Sequence, residues 1–274
     1  MTKESGTTRV AVCQLRIDID DPAGNVRAVQ DAVATAAGQG AELVVLPELV
    51  TSGYVFADLA EALRRAEPVD GPTVGLLTRL SAEHQIVLVA GFCERSDGDR
   101  PFNSLAVVDH GRLLAVYRKT HLWGTEKVMF AVGRDRAPVV DTSVGSVAAM
   151  ICYDLEFPEM VRDVALRGAQ IVVAPSNWPL NSPPAGERAP EVVKAQASAA
   201  VNRVFVVVAD RVGAERGVEW IGGSLVCDVE GYPVAGPAQG EETMLVADLD
   251  LTRAVGKGVG PHNDAFTDRR PDLY

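Results

Sequence analysis

Three side chains that can take part in covalent chemistry lie where long apolar runs of the sequence end. Glu48 ends LVVLPE, Lys119 ends LLAVYRK and Cys152 ends VAAMIC. Ligand sites of α/β proteins form beyond the carboxyl ends of strands, so these positions predict a site built on rigid elements. A cysteine needs a base or a cation to react as a thiolate. We expect Glu48 to accept the thiol proton, and Lys119 and the backbone N–H of Tyr153 to stabilise an oxyanion.

Each of these residues also has a purely structural interpretation. Glu48 follows Pro47 and could be an exposed turn acid, and Lys119 could be a solvated base at a strand end. Cys152 could be a small core residue, as we expect for Cys13, Cys93 and Cys227. The segment YDLEFPE turns the chain directly after Cys152, which favours a functional thiol at that position.

Strand-like runs alternate with helical patterns along the chain, which predicts an α/β protein. The segment GAELVVLPE (40–48) resembles GAQIVVAPS (168–176), and each is followed by a glycine hairpin, at 104–117 and 224–237. The sequence therefore predicts two similar α/β halves, packed sheet against sheet with helices outside. No Pro- or Ser-rich linker separates them, so we expect one domain over residues 1–274. The loop at 177–190 is a candidate wall of the site.

Composition narrows the function classes. The net charge of -11 argues against sequence-independent binding to nucleic acid and against docking on an anionic membrane. The N-terminus does not resemble a signal peptide, and the apolar runs have strand length, so we expect a cytoplasmic protein without a membrane span. The four cysteines form no C-x-x-C pair. We therefore expect neither disulfides nor a metal site, and the chemistry requires no cofactor.

Three motifs in order, LPELVTSGY, YRKTHLWGTEK and MICYDLEFPE, resemble the nitrilase superfamily of carbon–nitrogen hydrolases. The resemblance covers nearly the whole chain. It implies a four-layer α-β-β-α sandwich and a Glu–Lys–Cys triad, which falls on Glu48, Lys119 and Cys152. It also implies a second glutamate near the lysine, which falls on Glu126. Members of the family usually form homodimers or larger homo-oligomers through the sandwich face near the cysteine.

The residues after the cysteine indicate a branch of the family. CYDLEFPE looks most like amidases that act on aliphatic and amino-acid amides, whereas nitrilases resemble C-W-E and N-carbamoyl amino acid hydrolases C-N-D-R. Amidases for dicarboxylic acid monoamides carry an arginine where this chain has Glu156. We expect Tyr54, Asn177 and Trp178 to line the substrate pocket, although Tyr54 and Trp178 could equally be packing residues.

The sequence thus predicts an amidase that converts a small amide to a carboxylic acid and ammonia through a cysteine thioester. Three alternatives within the same chemistry are a nitrilase, an N-carbamoyl amino acid hydrolase and an acyltransferase in which an amine replaces water. A non-catalytic binding protein on the same fold is a further alternative. The presence of Glu48, Lys119 and Cys152 together argues against that last class.

Overall fold

The protein is described by a computed structural model that covers residues 7–273 and contains two six-stranded β-sheets. The strands are β1 Thr7–Gln14, β2 Leu43–Val45, β3 Val87–Glu94, β4 Phe102–Asp109, β5 Arg112–Arg118, β6 Val139–Thr142, β7 Gly145–Ala149, β8 Ile171–Pro175, β9 Phe205–Ala209, β10 Ala214–Glu215, β11 Val218–Glu219, β12 Leu225–Cys227, β13 Pro233–Ala235 and β14 Thr243–Asp250. The helices are α1 Pro22–Gly38, α2 Leu59–Arg65, α3 Pro72–His84, α4 Glu126–Met129, α5 Pro158–Leu166 and α6 Pro190–Asn202, with 3-10 helices at Cys152–Glu156 and Leu251–Ala254.

The two sheets follow the same plan. The first has the order β14-β1-β2-β3-β4-β5 and the second the order β13-β12-β9-β8-β7-β6, while β10 and β11 form a separate ribbon. Strands β1, β2 and β3 are parallel to one another, as are β7, β8 and β9. In each sheet an antiparallel hairpin, β4-β5 or β12-β13, extends one edge. The two similar halves predicted from the sequence are confirmed.

Side chains alternate between two cores along the first sheet. Val10 and Val12 of β1 face the core shared with the second sheet, whereas Ala11 of β1 packs beneath α1 and α3. This alternation is the two-residue period of a strand with both faces covered. Val161 of α5 and Ala195 of α6 cover the outer face of the second sheet. The chain is therefore a four-layer α-β-β-α sandwich, as the sequence predicted.

Two strands end earlier than the sequence predicted. β2 ends at Val45 and β7 ends at Ala149, so Glu48 and Cys152 each lie three residues beyond a strand rather than at its end. Pro47 has no N–H to continue the ladder after β2. Past Ala149 the chain turns into the 3-10 helix. The reactive residues therefore sit on short connections held against the sheet edge.

Within residues 7–273 no helix is both long enough and apolar enough to cross a membrane.

Candidate active site

Cys152 occupies a strained turn at the end of the second sheet. It is the first residue of the 3-10 helix and its backbone has a left-handed φ of 47°. That conformation costs a non-glycine residue roughly 1–2 kcal/mol, so surrounding contacts must hold it. The Cys152 Sγ lies 3.8 Å from the carbonyl oxygen of Asn177. The turn thereby directs the thiol towards the loop that follows β8.

Asp154 supplies the contacts that hold this turn. Its buried carboxylate accepts hydrogen bonds from the Ile151 N–H at 3.1 Å and from the Tyr117 hydroxyl at 2.9 Å. It also accepts the backbone N–H of His121 at 3.0 Å, and the ring Nδ1 of His121 lies 2.8 Å from it. Asp154 ties the cysteine turn to the β5–α4 connection, and the sequence analysis did not identify it.

Lys119, Glu48 and Glu126 form a buried cluster beside the cysteine. The Lys119 Nζ donates to Glu48 Oε1 at 2.7 Å and to Glu126 Oε1 at 2.8 Å. Lys119 is only 1% exposed, and both carboxylates are buried as well. Because an ammonium has three N–H donors, the third is available to a ligand. Lys119 therefore directly contacts both glutamates that the sequence analysis named, Glu48 and Glu126.

Asn103 completes the cluster and was missed by sequence reasoning. Its Nδ2 donates to Glu48 Oε1 at 2.6 Å and to Glu126 Oε1 at 3.3 Å. Its backbone carbonyl oxygen accepts a hydrogen bond from the backbone N–H of Lys119 at 2.8 Å. The available signal was a single amide within the buried strand β4, where a polar side chain needs a partner.

The hydrogen bonds divide the Glu48 carboxylate into two different oxygens. Oε1 accepts hydrogen bonds from both Lys119 and Asn103, whereas Oε2 is buried and has no hydrogen-bond partner. A buried oxygen without a donor is costly and is rare in native structures. Oε2 is therefore the position where a proton can be accepted.

Burial and neighbouring charges set the protonation states of the cluster. Burial raises the pKa of Glu48 to about 7, although the Lys119 ammonium opposes the shift. Burial would lower the pKa of Lys119, but the carboxylates of Glu126 and Glu48 outweigh it and hold that pKa well above its usual range. Burial, reinforced by Glu48, raises the pKa of the Cys152 thiol well above its usual range. At neutral pH the cluster therefore holds an ammonium, a thiol and a carboxylate that can exchange a proton.

Aromatic side chains flank the cluster. Burial, reinforced by the nearby carboxylates of Glu126 and Glu48, raises the pKa of the Tyr54 phenol well above its usual range. The Trp123 ring packs on Tyr153 with centroids 4.9 Å apart, and the backbone N–H of Trp123 donates to Glu126 Oε2 at 2.8 Å. Only 5% of Cys152 is exposed, so the thiol is largely shielded from bulk solvent. This enclosure keeps bulk water away from the charges.

Asn177 and Trp178 lie at the start of the loop that the sequence predicted as a wall. The Asn177 Nδ2 donates to the backbone oxygen of Glu48 at 3.0 Å, and its Oδ1 is buried without a partner. The backbone N–H of Trp178 donates to the buried Asp210 carboxylate at 2.9 Å, and the Trp178 side chain belongs to the central core. Asn177 therefore joins the two halves at the site, whereas Trp178 is a firmly packed residue next to it.

Tyr153 follows the cysteine in the first turn of the 3-10 helix. The first N–H groups of a helix have no intrahelical acceptor and attract anions. This position is compatible with the role of oxyanion donor predicted for its backbone N–H.

Replacing Lys119 by methionine should destabilise the fold. The change leaves Glu48 and Glu126 buried without their cation, and breaking such an arrangement costs about 3–5 kcal/mol. Each carboxylate can escape part of this cost by taking up a proton. The loss in free energy of unfolding, measured by urea denaturation, should therefore be larger at pH 8 than at pH 6.

The exposed Lys127 provides a matched control, because Lys127→Met makes the same chemical change on the surface. We expect Lys127→Met to change the free energy of unfolding by less than about 0.5 kcal/mol. Equal losses in the two variants would contradict the assignment of Lys119 as the cation of a buried cluster.

Comparisons with known proteins identify the family of this chain. The chain matches the carbon-nitrogen hydrolase family over residues 9–256. A protein named nitrilase from Pyrococcus abyssi is 36% identical over 267 residues, covering 97% of this chain and 98% of the relative. An (R)-stereoselective amidase from Pseudomonas sp. is 34% identical over 263 residues, covering 96% and 91% of the two chains.

Solved structures of an amidase have the same fold as this chain. The amidase from Nesterenkonia sp. AN1 superposes with a TM-score of 0.80 at 29% identity, covering 97% of this chain and 98% of that one. That structure is described as a mutant in which acrylamide has added to the active-site cysteine. With a match over most of its length and with this fold, the chain belongs to the carbon-nitrogen hydrolase family and acts on carbon–nitrogen bonds other than peptide bonds.

Proposed function

We propose that the protein is an amidase that hydrolyses small aliphatic amides to a carboxylic acid and ammonia through a thioester on Cys152. The observation that carries the proposal is the unpaired Glu48 Oε2 in a cluster that already fixes Oε1. A base with one free oxygen beside a thiol, and a lysine with one free N–H, supply the groups that thioester chemistry needs.

In the acylation half-reaction Glu48 Oε2 takes the proton of the Cys152 thiol, and the sulfur attacks the amide carbon. The third N–H of Lys119 and the N–H of Tyr153 hold the oxyanion of the tetrahedral intermediate. Glu48 then gives its proton to the amide nitrogen, which leaves as ammonia when the carbon–nitrogen bond breaks. The product of this half-reaction is a thioester.

In the second half-reaction a water molecule replaces ammonia. Glu48 takes a proton from the water, whose oxygen attacks the thioester carbon, and the carbon–sulfur bond breaks. The proton returns to the sulfur, and the acid leaves. Glu126 shares Lys119 with Glu48 and accepts the N–H of Trp123, so it keeps the ammonium in place in both steps.

The enclosure of the thiol supports a small substrate. Only 5% of Cys152 is exposed, so a short acyl chain fits beside the thiol better than a long or branched one. The likeness to two proteins named amidase supports an amide as the substrate. A nitrile is the second candidate, because a relative with 36% identity is named nitrilase.

The test is ammonia release from acetamide, propionamide, butyramide, a ω-amino amide, glutamine and an N-carbamoyl amino acid, with the matching nitriles alongside. Turnover of the short amides is the expected result. Turnover restricted to nitriles or carbamoyl compounds would overturn the amide assignment. Added hydroxylamine identifies an acyltransferase, since hydroxamate would then form faster than acid.

The rate should depend on pH through Glu48. Its carboxylate accepts a proton only when ionised, and its pKa is raised to about 7, so kcat/KM for a short amide should fall about tenfold per pH unit below that value and level off above it. Initial rates from pH 5 to pH 9, with circular dichroism at each pH to verify the fold, measure this profile. A rate that stays constant from pH 5 to pH 8 would exclude Glu48 as the base.

A further inference from the structure

We infer that the buried ion pair of Arg211 and Glu215 is a positioning element that fixes Tyr54 against Glu126 and so keeps Lys119 in its reactive place. This inference rests on the proposed function, in which Lys119 holds the oxyanion. Neither Arg211 nor Glu215 was identified from the sequence.

Glu215 holds the backbone of the segment that carries Tyr54. Its Oε2 accepts the N–H of Tyr54 at 2.8 Å and that of Val55 at 2.7 Å, and its Oε1 accepts the N–H of Ile19 at 2.9 Å. Hydrogen bonds to an ionised carboxylate are stronger than neutral ones, so these three backbone donors hold the chain firmly in place. The Tyr54 segment is therefore located by Glu215.

The approach of this segment to Glu215 is close enough to require glycine. Gly53 has a φ of 76°, and a Cβ at that position would lie 2.8 Å from Glu215 Oε1 and 2.5 Å from the Cα of Ile19. No other residue fits this conformation and this space without moving its neighbours. The turn before Tyr54 is thus shaped around the carboxylate.

Arg211 binds Glu215 and completes the set of contacts that hold Tyr54. Its guanidinium, which is fully buried, donates to both Glu215 oxygens at 3.0 and 3.2 Å and to the backbone oxygen of Ile17. The guanidinium also lies over the Trp220 ring, 4.7 Å from the centroid. The Trp220 ring meets Tyr54 edge to face with centroids 5.2 Å apart. Arg211 therefore secures Tyr54 twice, through its backbone by way of Glu215 and through its ring by way of Trp220.

The contacts continue from Tyr54 into the reactive cluster. Burial raises the pKa of the Tyr54 phenol and the charge of Glu126 adds to that shift, so the phenol lies near this carboxylate. Glu126 Oε1 in turn accepts a hydrogen bond from the Lys119 ammonium at 2.8 Å. A buried ion pair is weak evidence for stability, because desolvation offsets much of the attraction. Its contacts with the Tyr54 backbone and, through Trp220, with the Tyr54 ring give the pair a different role, which is to hold the phenol beside Glu126.

A double-mutant cycle between Glu215→Gln and Tyr54→Phe tests the inference. Glutamine offers one acceptor oxygen where the backbone donors need two, and phenylalanine removes only the hydroxyl. We expect each single variant to lower kcat/KM for a short amide about tenfold, and the double variant to be no worse than either one. A loss of about 100-fold in the double variant, or an unchanged kcat/KM in Glu215→Gln, would overturn the inference.

Glu61→Gln is a matched control on the same segment. Glu61 binds Arg216 at 2.6 Å and the N–H of Ala57 at 2.7 Å, but it does not receive the Tyr54 N–H. The substitution Glu61→Gln should lower the melting temperature and leave kcat/KM unchanged. If Glu215→Gln fails to fold, the variant Arg211→Met/Glu215→Gln, which leaves no buried charge unpaired, replaces it in the cycle. A tenfold loss in Glu61→Gln would count against a specific role for Glu215.

A measurement without substrate separates this inference from the proposed function. The rate of Cys152 alkylation by iodoacetamide, followed by mass spectrometry, reports how Lys119 and Glu48 activate the thiol. If the wild-type protein hydrolyses no amide, the proposed function fails, and the same cycle is evaluated on alkylation rates. Non-additive slowing would still support the inference, and additive slowing would overturn it.

Discussion

Replacing Cys152 by alanine should abolish amide hydrolysis, with a fall in kcat of at least about 10,000-fold. The sulfur is the atom that forms the acyl bond in the proposed reaction, and no neighbouring group can replace it. The free energy of unfolding should change by less than about 1 kcal/mol, because only the sulfur atom is removed. Ammonia release and urea denaturation measure the two quantities.

Cys13→Ala is the control, since Cys13 is equally buried but lies beneath the helices of the first sheet. That variant should keep its kcat. Intact-mass analysis with a slowly hydrolysed acyl donor should show an adduct on the wild-type protein and on Cys13→Ala, but not on Cys152→Ala. Turnover that survives in Cys152→Ala would show that the nucleophile is a different group.

The second large effect is expected for Glu48→Gln. Glutamine keeps an oxygen for Lys119 and Asn103, so the hydrogen bonds to Oε1 survive, but an amide replaces the oxygen that accepts the thiol proton. Loss of a general base typically lowers the rate about 100- to 10,000-fold. We expect a fall in kcat/KM of about 1,000-fold together with slower alkylation of Cys152 by iodoacetamide.

The exposed Glu159 provides the control for this substitution, and Glu159→Gln should retain full activity. The acid limb of the pH profile should also disappear in Glu48→Gln, because the group that titrates near pH 7 is gone. A variant that keeps more than a tenth of the wild-type kcat/KM would show that another residue deprotonates the thiol.

The sequence was sufficient to predict the architecture and the central residues of the candidate site. Apolar strands alternating with helices, and the paired segments at 40–48 and 168–176, correctly indicated two similar halves with covered sheets. Glu48 and Lys119 were chosen as reactive types at strand ends, and Glu126 was implied by the family resemblance. Lys119 is indeed in contact with both carboxylates. Their catalytic roles stay predictions until the variants are measured.

The exact ends of the strands could not be predicted from the sequence. Hydrophobicity reports burial, and Leu46, Met150 and Ile151 are fully buried although they follow the last strand residues. The apolar pattern therefore continues beyond the ladder of hydrogen bonds, which ends when the chain turns. A one-dimensional pattern contains no information on that change.

The supporting residues were missed for a different reason. Asn103 reaches Glu48 across 55 positions of the chain, and Glu215 reaches the Tyr54 N–H across 161 positions. Each looks like an ordinary polar residue in its local context, and only the tertiary fold reveals its partner. Positions of this kind become identifiable when buried polar groups are traced to their hydrogen bonds.

The position of Asn177 between the halves has a consequence for the folding of the chain during its synthesis. Glu48, Lys119 and Glu126 come from the first half, Cys152 from the second, and the Asn177 amide joins the second half to the Glu48 backbone. In the proposed mechanism, a growing chain that has folded only its first half has the base and lacks the sulfur. The second half, on its own, has a thiol without its base. The mechanism therefore predicts that the thioester forms only after the two sheets have packed against each other, and that a partly synthesised chain does not form it.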